Sequence, residues 1–143
     1  MIRAENVSKS YNALVLDDVS LSVSHGETVS LIGPSGCGKS TLLRILMGLI
    51  EADSGKVLIN NRKLSPNNAK ELRLGMGYVI QSGGLVPHLT ARQNLTLVTH
   101  YLGWDSERES HRISELCHLT GIKASDLNRR PDGLSGGQAQ RIS

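Results

Sequence analysis

Eight consecutive residues, Gly33-Pro-Ser-Gly-Cys-Gly-Lys-Ser40, constrain the fold of this chain more than any other segment. They match the pattern G-x-x-x-x-G-K-[ST], which requires a strand before it and a helix after it. Residues 28–32 are apolar enough to predict a buried strand. Four apolar side chains follow the motif at helical spacing: Leu42, Ile45, Leu46 and Leu49. The sequence therefore predicts a strand–loop–helix unit, although a glycine-rich turn can carry the same residues by chance.

The predicted loop has the chemistry of a phosphate site. Its three glycines let the backbone turn tightly and approach an anion where a Cβ would interfere. The following helix would direct its N-terminal N–H groups and positive dipole end at the phosphates. The Lys39 ammonium would reach the β- and γ-phosphates, and the Ser40 hydroxyl would hold Mg²⁺. The candidate phosphate-binding residues are Gly33, Pro34, Ser35, Gly36, Cys37, Gly38, Lys39, Ser40 and Thr41.

A second glycine-rich segment, Leu134-Ser-Gly-Gly-Gln138, precedes residues with the preferences of a helix start. Ser135 is a good N-cap, and Gly136 and Gly137 leave the backbone N–H groups uncovered. The segment therefore predicts a second helix terminus that can bind an anion. The alternative is an ordinary Ser/Gly loop between two helices.

Together and in this order, the two motifs resemble those of the ATP-binding cassette, the nucleotide-binding domain of ABC transporters. The resemblance implies that two cassettes meet head to tail, each signature closing over the γ-phosphate held by the other's phosphate loop. Ser135, Gly136, Gly137 and Gln138 would then act in trans on bound MgATP. It also implies two partners: a second nucleotide-binding domain, forming a homodimer, and transmembrane permease subunits.

Further segments are similar to parts of the same family. Val7-Ser-Lys-Ser-Tyr11 resembles the segment that places an aromatic ring on adenine, which makes Tyr11 the expected base contact; otherwise Tyr11 is ordinary surface packing. Gly77-Tyr-Val-Ile-Gln81 predicts a short buried strand and resembles the glutamine loop, which implies that Gln81 meets Mg²⁺ and the attacking water. Asp53-Ser-Gly-Lys-Val57 and Pro87-His-Leu-Thr90 also look like the family, and the latter suggests importers of osmoprotectants or amino acids.

The composition excludes several other classes of protein. The net charge of +3 comes from scattered basic residues, which argues against a nucleic-acid partner. No uncharged apolar run approaches the roughly 18 residues that a spanning helix needs, and no apolar signal region begins the sequence. We therefore expect a cytoplasmic protein at the inner face of the membrane, held by a permease partner without direct insertion. The two cysteines fit a reducing compartment, and no catalytic constellation accompanies the five histidines.

The order of predicted elements indicates an α/β fold: a P-loop NTPase-like core, an N-terminal antiparallel β subdomain and a helical subdomain carrying the signature. Strands are predicted at residues 2–7, 19–23 and 56–59. Capping boxes beginning at Thr90 and Ser106 predict two helices. Their predicted apolar faces consist of Leu95, Val98 and Leu102, and of Ile113, Leu116 and Cys117. We expect one partial cassette over residues 1–143, with its β and phosphate-loop portion at 1–81 and the helical subdomain at 82–143.

The resemblance also implies elements that these 143 residues do not contain. In the family, an apolar strand ending in Asp-Glu follows the signature helix, and a histidine follows later. The fold is thus expected to be truncated before this Walker B strand, with no catalytic residue in the chain. Loss of a general base costs typically about 10²–10⁴-fold in rate, so we expect poor ATP hydrolysis. An unpaired apolar sheet edge would favour pairing with another chain, exchange of elements, or a longer protein.

Two functions of different classes stay open at this point. The first is the energy-coupling subunit of an ABC transporter; the second is a non-hydrolysing nucleotide-binding or dimerisation module that regulates a transporter or an intact ATPase. A cassette ATPase of DNA repair would carry a long coiled coil between the phosphate loop and the signature. Residues 40–132 contain no sustained heptads, so this class is disfavoured. Translation factors carry paired cassettes, and kinases or GTPases would leave residues 134–138 unexplained.

Overall fold

The computed structural model describes residues 1–80 and 84–143, which divide into two compact units. The first unit, Met1–Tyr78, contains a β-sheet and the predicted phosphate loop. The second unit, Val79–Ser143, is helical. Over these described ranges, no helix combines the length and the apolar composition needed to cross a membrane.

An antiparallel sheet with the strand order β2-β1-β3-β4 forms the base of the first unit. Its strands are β1 (Ile2–Ser10), β2 (Leu14–Val23), β3 (Ser54–Ile59) and β4 (Arg62–Lys63). Ala4 and Val7 of β1 are both buried although they are three residues apart. A register shift between them, at Asn6 with a φ of 51°, allows both side chains to face the core. The predicted antiparallel start is confirmed, with longer strands than predicted.

Helix α1 (Lys39–Leu46) covers the core of the first unit with Leu42, Ile45 and Leu46. Leu49, which the helical spacing places on the same face, is exposed. The helix ends at Leu46 with Met47 as its C-cap, and Gly48 has a φ of 63°, so the chain turns away before it reaches Leu49. A short helix, α2 (Ala69–Arg73), follows and buries Ala69.

Two strand predictions are wrong. Residues 28–32 and 77–80 have no strand pairing among the described residues, and Ile32 and Val79 are 94% and 65% exposed. A strand needs a neighbour that takes up its N–H and C=O groups, and within residues 1–80 and 84–143 nothing pairs with either segment. The apolar composition of a segment therefore does not by itself predict that the segment pairs as a strand.

The second unit consists of helices α3 (Ala91–Tyr101), α4 (Ser106–Thr120) and α5 (Gly136–Ile142), with 3-10 helices at Ala124–Asn128 and Pro131–Gly133. Five buried apolar residues form its core: Ala91, Ile113, Ile122, Leu127 and Ile142. Cys117 packs against this core, as predicted for α4 together with Ile113, and Leu116 is half-buried.

The starts of α3 and α4 test the predicted capping boxes. At α3 the prediction is confirmed: the Gln93 N–H donates to Thr90 Oγ1 at 3.2 Å, and the Thr90 N–H donates to Gln93 Oε1 at 2.8 Å. At α4 it is wrong, because Asp105 is the N-cap and accepts from the Arg108 N–H at 2.8 Å. Aspartate caps as well as serine, so the helix begins one residue earlier than predicted.

The apolar face predicted for α3 is only partly buried. Leu95 packs against the core, but Val98 and Leu102 are exposed. The core lies against the N-terminal half of the helix, where Ala91 is completely buried. Helical spacing identifies a face, but it does not show how far along the helix the neighbouring elements reach.

Candidate nucleotide-binding site

The Lys39 ammonium lies at the centre of the predicted phosphate loop. Its Nζ donates to the carbonyl oxygens of Gly33 at 2.7 Å and Pro34 at 2.8 Å, and lies 3.5 Å from Cys37 Sγ. The loop is therefore folded around a positive charge, and a phosphate oxygen entering the loop would meet that charge. The carbonyl oxygens that hold Lys39 are weaker partners than a polyphosphate, because hydrogen bonds between charged groups are the stronger ones.

Helix α1 begins at the loop without a side-chain cap. Its N-cap is Gly38, in the left-handed region with a φ of 94°, and a glycine at this position supplies no side-chain cap to the first turn. The first N–H groups of a helix need external acceptors, and an anion at the positive dipole end satisfies them. Ser40 lies in this first turn and is exposed, so its hydroxyl is accessible to a metal ion bound with the phosphates.

Two glycines of the loop are packed too closely for a side chain. A Cβ added at Gly33 would lie 2.7 Å from Cys37 Sγ, and one added at Gly38 would lie 2.8 Å from Leu16 Cδ2 and 2.9 Å from the Val15 carbonyl oxygen. Gly36, with a φ of 83°, also adopts the left-handed conformation. Backbone amides, an ammonium and a hydroxyl together fit a triphosphate with Mg²⁺.

Tyr11 lies in the same unit, directly after β1, with its side chain 59% exposed. Lys9 Nζ lies 5.5 Å from the centre of its ring. The Asp53 carboxylate accepts from Lys9 Nζ at 2.5 Å and from the Ser10 N–H at 2.7 Å, which fixes the backbone next to Tyr11. The Lys9 hydrogen bond, with that from Ser10, holds the pKa of the Asp53 carboxyl below its usual value. Asp53 thus supports the backbone next to Tyr11. The sequence analysis did not identify this role and named Asp53 only as part of a segment, residues 53–57, that resembles the family.

The signature segment lies in the second unit and forms the start of α5. The Gln138 N–H donates to Ser135 Oγ at 3.3 Å, and the Ser135 N–H donates to Gln138 Oε1 at 2.9 Å. The prediction that Ser135 caps this helix is confirmed, and Gly136 and Gly137 are exposed. The reciprocal bond, which Gln138 Oε1 accepts from the Ser135 N–H, was not predicted, although S-x-x-Q is a capping-box pattern.

The structure therefore places Tyr11 and residues 33–41 in one unit and residues 135–138 in the other. Gln81 lies outside the described residues, so its predicted contact with Mg²⁺ stays a prediction. Elsewhere in the part of the chain that the structure describes, no group of three or more His, Cys, Asp or Glu side chains could hold a metal ion.

The sequence profile of the family described as ABC transporter matches residues 16–143 of this chain, a stretch that includes the phosphate loop and the signature. The chain belongs to this family. Two curated relatives match 99% of it: the carnitine transport ATP-binding protein OpuCA of Listeria monocytogenes, 42% identical over 144 residues, and the osmoprotectant import ATP-binding protein OsmV of Salmonella typhimurium, 42% identical over 149. The chain spans 36% and 39% of the lengths of these relatives.

Solved structures confirm the predicted fold class of this ABC cassette. The dimeric structure of MJ0796, a bacterial ABC transporter cassette, is 34% identical, with a TM-score of 0.89 over 99% of this chain and 66% of that one. A dimeric post-hydrolysis structure of MJ0796 bound to ADP and Pi is 35% identical, with a TM-score of 0.88 over the same shares. The cassette fold thus holds for this chain even though residues 28–32 and 77–80 are not paired as strands.

Alkylation of Cys37 is expected to abolish nucleotide binding by this cassette. The thiol is exposed and lies among the groups that surround Lys39, so an added group would occupy the space of the phosphates. The measurement is the rate of maleimide labelling in a Cys117→Ser background, with and without saturating MgATP. Protection of Cys37 by ATP is expected, and equal labelling rates in both conditions would contradict the assignment of the loop.

Proposed function

We propose that this chain is the MgATP-binding part of the energy-coupling subunit of an ABC importer. The observation that carries the proposal is the Lys39 ammonium held by the loop carbonyl oxygens at the start of α1, which has no side-chain cap. The loop is packed too closely for a Cβ at Gly33, beside Cys37 Sγ, or at Gly38, beside Leu16 and Val15. Lys39 would exchange its two carbonyl partners for the β- and γ-phosphates. Ser40 would contribute its hydroxyl to Mg²⁺, and Tyr11 would contact the base.

The signature segment would complete the site of a second copy of the chain. Ser135 Oγ accepts a hydrogen bond from the Gln138 N–H, and this leaves its own O–H free to donate to a phosphate oxygen. Gly136 and Gly137 are exposed and would let a partner's nucleotide approach the backbone. The dimeric state of MJ0796 supports the association of two cassettes, and the head-to-tail arrangement is part of our proposal.

The names of the relatives support our proposal for the substrate class. OpuCA is named for carnitine transport and OsmV for osmoprotectant import, so we assign the chain to an importer of small compatible solutes. We propose that it works in the cytoplasm, bound to permease subunits at the membrane. Exposed apolar side chains on α3, namely Leu97, Val98 and Tyr101, are suited to such a protein contact.

Hydrolysis would need a general base that residues 1–143 do not supply in the form the family uses, an apolar strand ending in Asp-Glu. These residues would therefore bind and orient MgATP, and efficient cleavage would depend on a carboxylate from elsewhere. This division of roles also separates the importer from a purely regulatory nucleotide-binding module, because only the importer needs such a carboxylate.

The head-to-tail proposal predicts complementation between two defective variants of the full-length protein. Lys39→Ala removes the phosphate-binding ammonium, and Ser135→Arg fills the space over the signature. Each variant alone should fail to dimerise with a non-hydrolysable ATP analogue. Their mixture should dimerise, because one of its two composite sites combines an intact loop with an intact signature.

Analytical ultracentrifugation with differently labelled variants measures this result. Circular dichroism of each variant serves as the control for folding. A mixture that dimerises no better than its components would contradict the arrangement in trans. Dimerisation of both single variants at wild-type affinity would contradict any role of the two motifs in association.

A further inference from the structure

A buried carboxylate lies directly behind the signature segment. Asp126 is 3% exposed and belongs to the 3-10 helix Ala124–Asn128, whose Leu127 lies in the core of the second unit. Burial of an ionisable side chain is costly unless its oxygens are paired, so a carboxylate in this position calls for specific partners. The sequence carries no signal for it, because Asp126 lies outside both motifs.

Both oxygens of Asp126 have partners. Oδ2 accepts from Gln138 Nε2 at 2.9 Å, and Oδ1 lies 3.4 Å from an Arg129 guanidinium nitrogen. The support is rigid, because the Arg129 N–H donates to the Asp126 carbonyl oxygen at 3.0 Å and the Arg129 carbonyl oxygen accepts from the Ala91 N–H at 2.8 Å. Asp126 is thereby fixed relative to the start of α3.

Both polar atoms of the Gln138 side-chain amide form hydrogen bonds. Its oxygen accepts from the Ser135 N–H, and its nitrogen donates to Asp126. An ionised carboxylate only accepts hydrogen bonds, so it selects the amide orientation in which the nitrogen faces Asp126 and the oxygen faces Ser135. The opposite orientation would place two acceptors against each other and would leave the Ser135 N–H without its partner.

We propose that Asp126 is a positioning residue for the signature: it orients the Gln138 amide, which holds the Ser135 turn so that the Ser135 hydroxyl can donate to a phosphate. This inference rests on the proposed function. Gln138 accordingly acts on the nucleotide through Ser135 and not by direct contact. The carboxylate affects closure over ATP held by a partner chain, and it does not affect the loading of ATP onto the phosphate loop of its own chain.

The test exchanges the donor and the acceptor of the Asp126–Gln138 pair in the full-length protein. With Asp126→Asn, the side chain at position 126 can present either an amide oxygen or an amide nitrogen to Gln138. Gln138→Glu keeps the acceptor for the Ser135 N–H but sets two carboxylates against each other. The double variant restores one donor and one acceptor with the same total charge. Asp132→Asn is the matched control, since Asp132 is an exposed acid in the neighbouring 3-10 helix.

The first measurement is the affinity of dimerisation with a non-hydrolysable ATP analogue. Hydrogen bonds to charged groups are the stronger class, so we expect dimerisation about tenfold weaker for Asp126→Asn and about 30-fold weaker for Gln138→Glu. The double variant should return to within about threefold of wild type, as expected for directly coupled positions. Asp132→Asn should leave dimerisation unchanged, and MgATP binding to the monomer should be the same in all variants.

The second measurement is hydrogen exchange at the Ser135 amide, which reports the positioning without any nucleotide. Exchange should be faster in both single variants and slow again in the double variant. Single variants with normal dimerisation, or a double variant as weak as the product of the single effects, would overturn the inference. A wild-type protein that fails to dimerise with ATP, yet shows the expected exchange pattern, would overturn the proposed function while retaining the Asp126–Gln138–Ser135 coupling.

Discussion

Replacing Lys39 with alanine is expected to lower the affinity for MgATP by about 10- to 100-fold, the range for losing hydrogen bonds to charged groups. The ammonium would contact the β- and γ-phosphates, and in the structure it also joins the carbonyl oxygens of Gly33 and Pro34. The variant therefore loses both the charge and the link that holds the loop closed. Isothermal titration with MgATP measures the change.

Two comparisons separate the phosphate contact from a general loss of charge. Lys63→Ala removes an exposed lysine from β4 of the same unit and should leave the affinity unchanged. AMP lacks the β- and γ-phosphates, so Lys39→Ala should affect its weak binding little. Equal losses for AMP and ATP would indicate that the variant disturbs the whole unit, and an unchanged ATP affinity would refute the site.

Replacing Gly38 with alanine is expected to destabilise the first unit by about 2–5 kcal/mol, combining backbone strain with overpacking. The residue has a φ of 94°, which side chains rarely adopt. The new methyl group would lie 2.8 Å from Leu16 Cδ2 and 2.9 Å from the Val15 carbonyl oxygen. Leu16 is buried in the core, and the carbonyl belongs to β2, so neither can easily move away.

Hydrogen exchange of the β1 and β2 amides is the suitable measurement, because it reports the stability of the first unit separately from the second. Gly36→Ala is the matched control: its φ is 83°, but among the described residues no heavy atom beyond its immediate chain neighbours lies within 4 Å of the added Cβ. It should therefore show only the conformational strain, roughly 1–3 kcal/mol. Equal destabilisation by Gly36→Ala and Gly38→Ala would mean that contact with β2 does not contribute to the effect of Gly38→Ala.

The accuracy of the sequence predictions depended on how local the responsible interaction is. The capping box at Thr90 and the N-cap at Ser135 were predicted because each requires only a few adjacent residues. The exposure of Val98 and Leu102, and the unpaired residues 28–32, were not predicted. Burial and strand pairing depend on partners distant in sequence, which the local pattern does not identify.

The same contrast holds for the candidate site. The sequence alone determined the phosphate loop and the signature, since their glycines, lysine and serine have conformational and chemical properties that do not depend on distant contacts. Only the tertiary structure decided which residues support them. It brought Asp53 to the backbone before Tyr11 and placed Asp126 behind Gln138, because a carboxylate becomes a positioning group only when folding brings it beside a donor from another part of the chain.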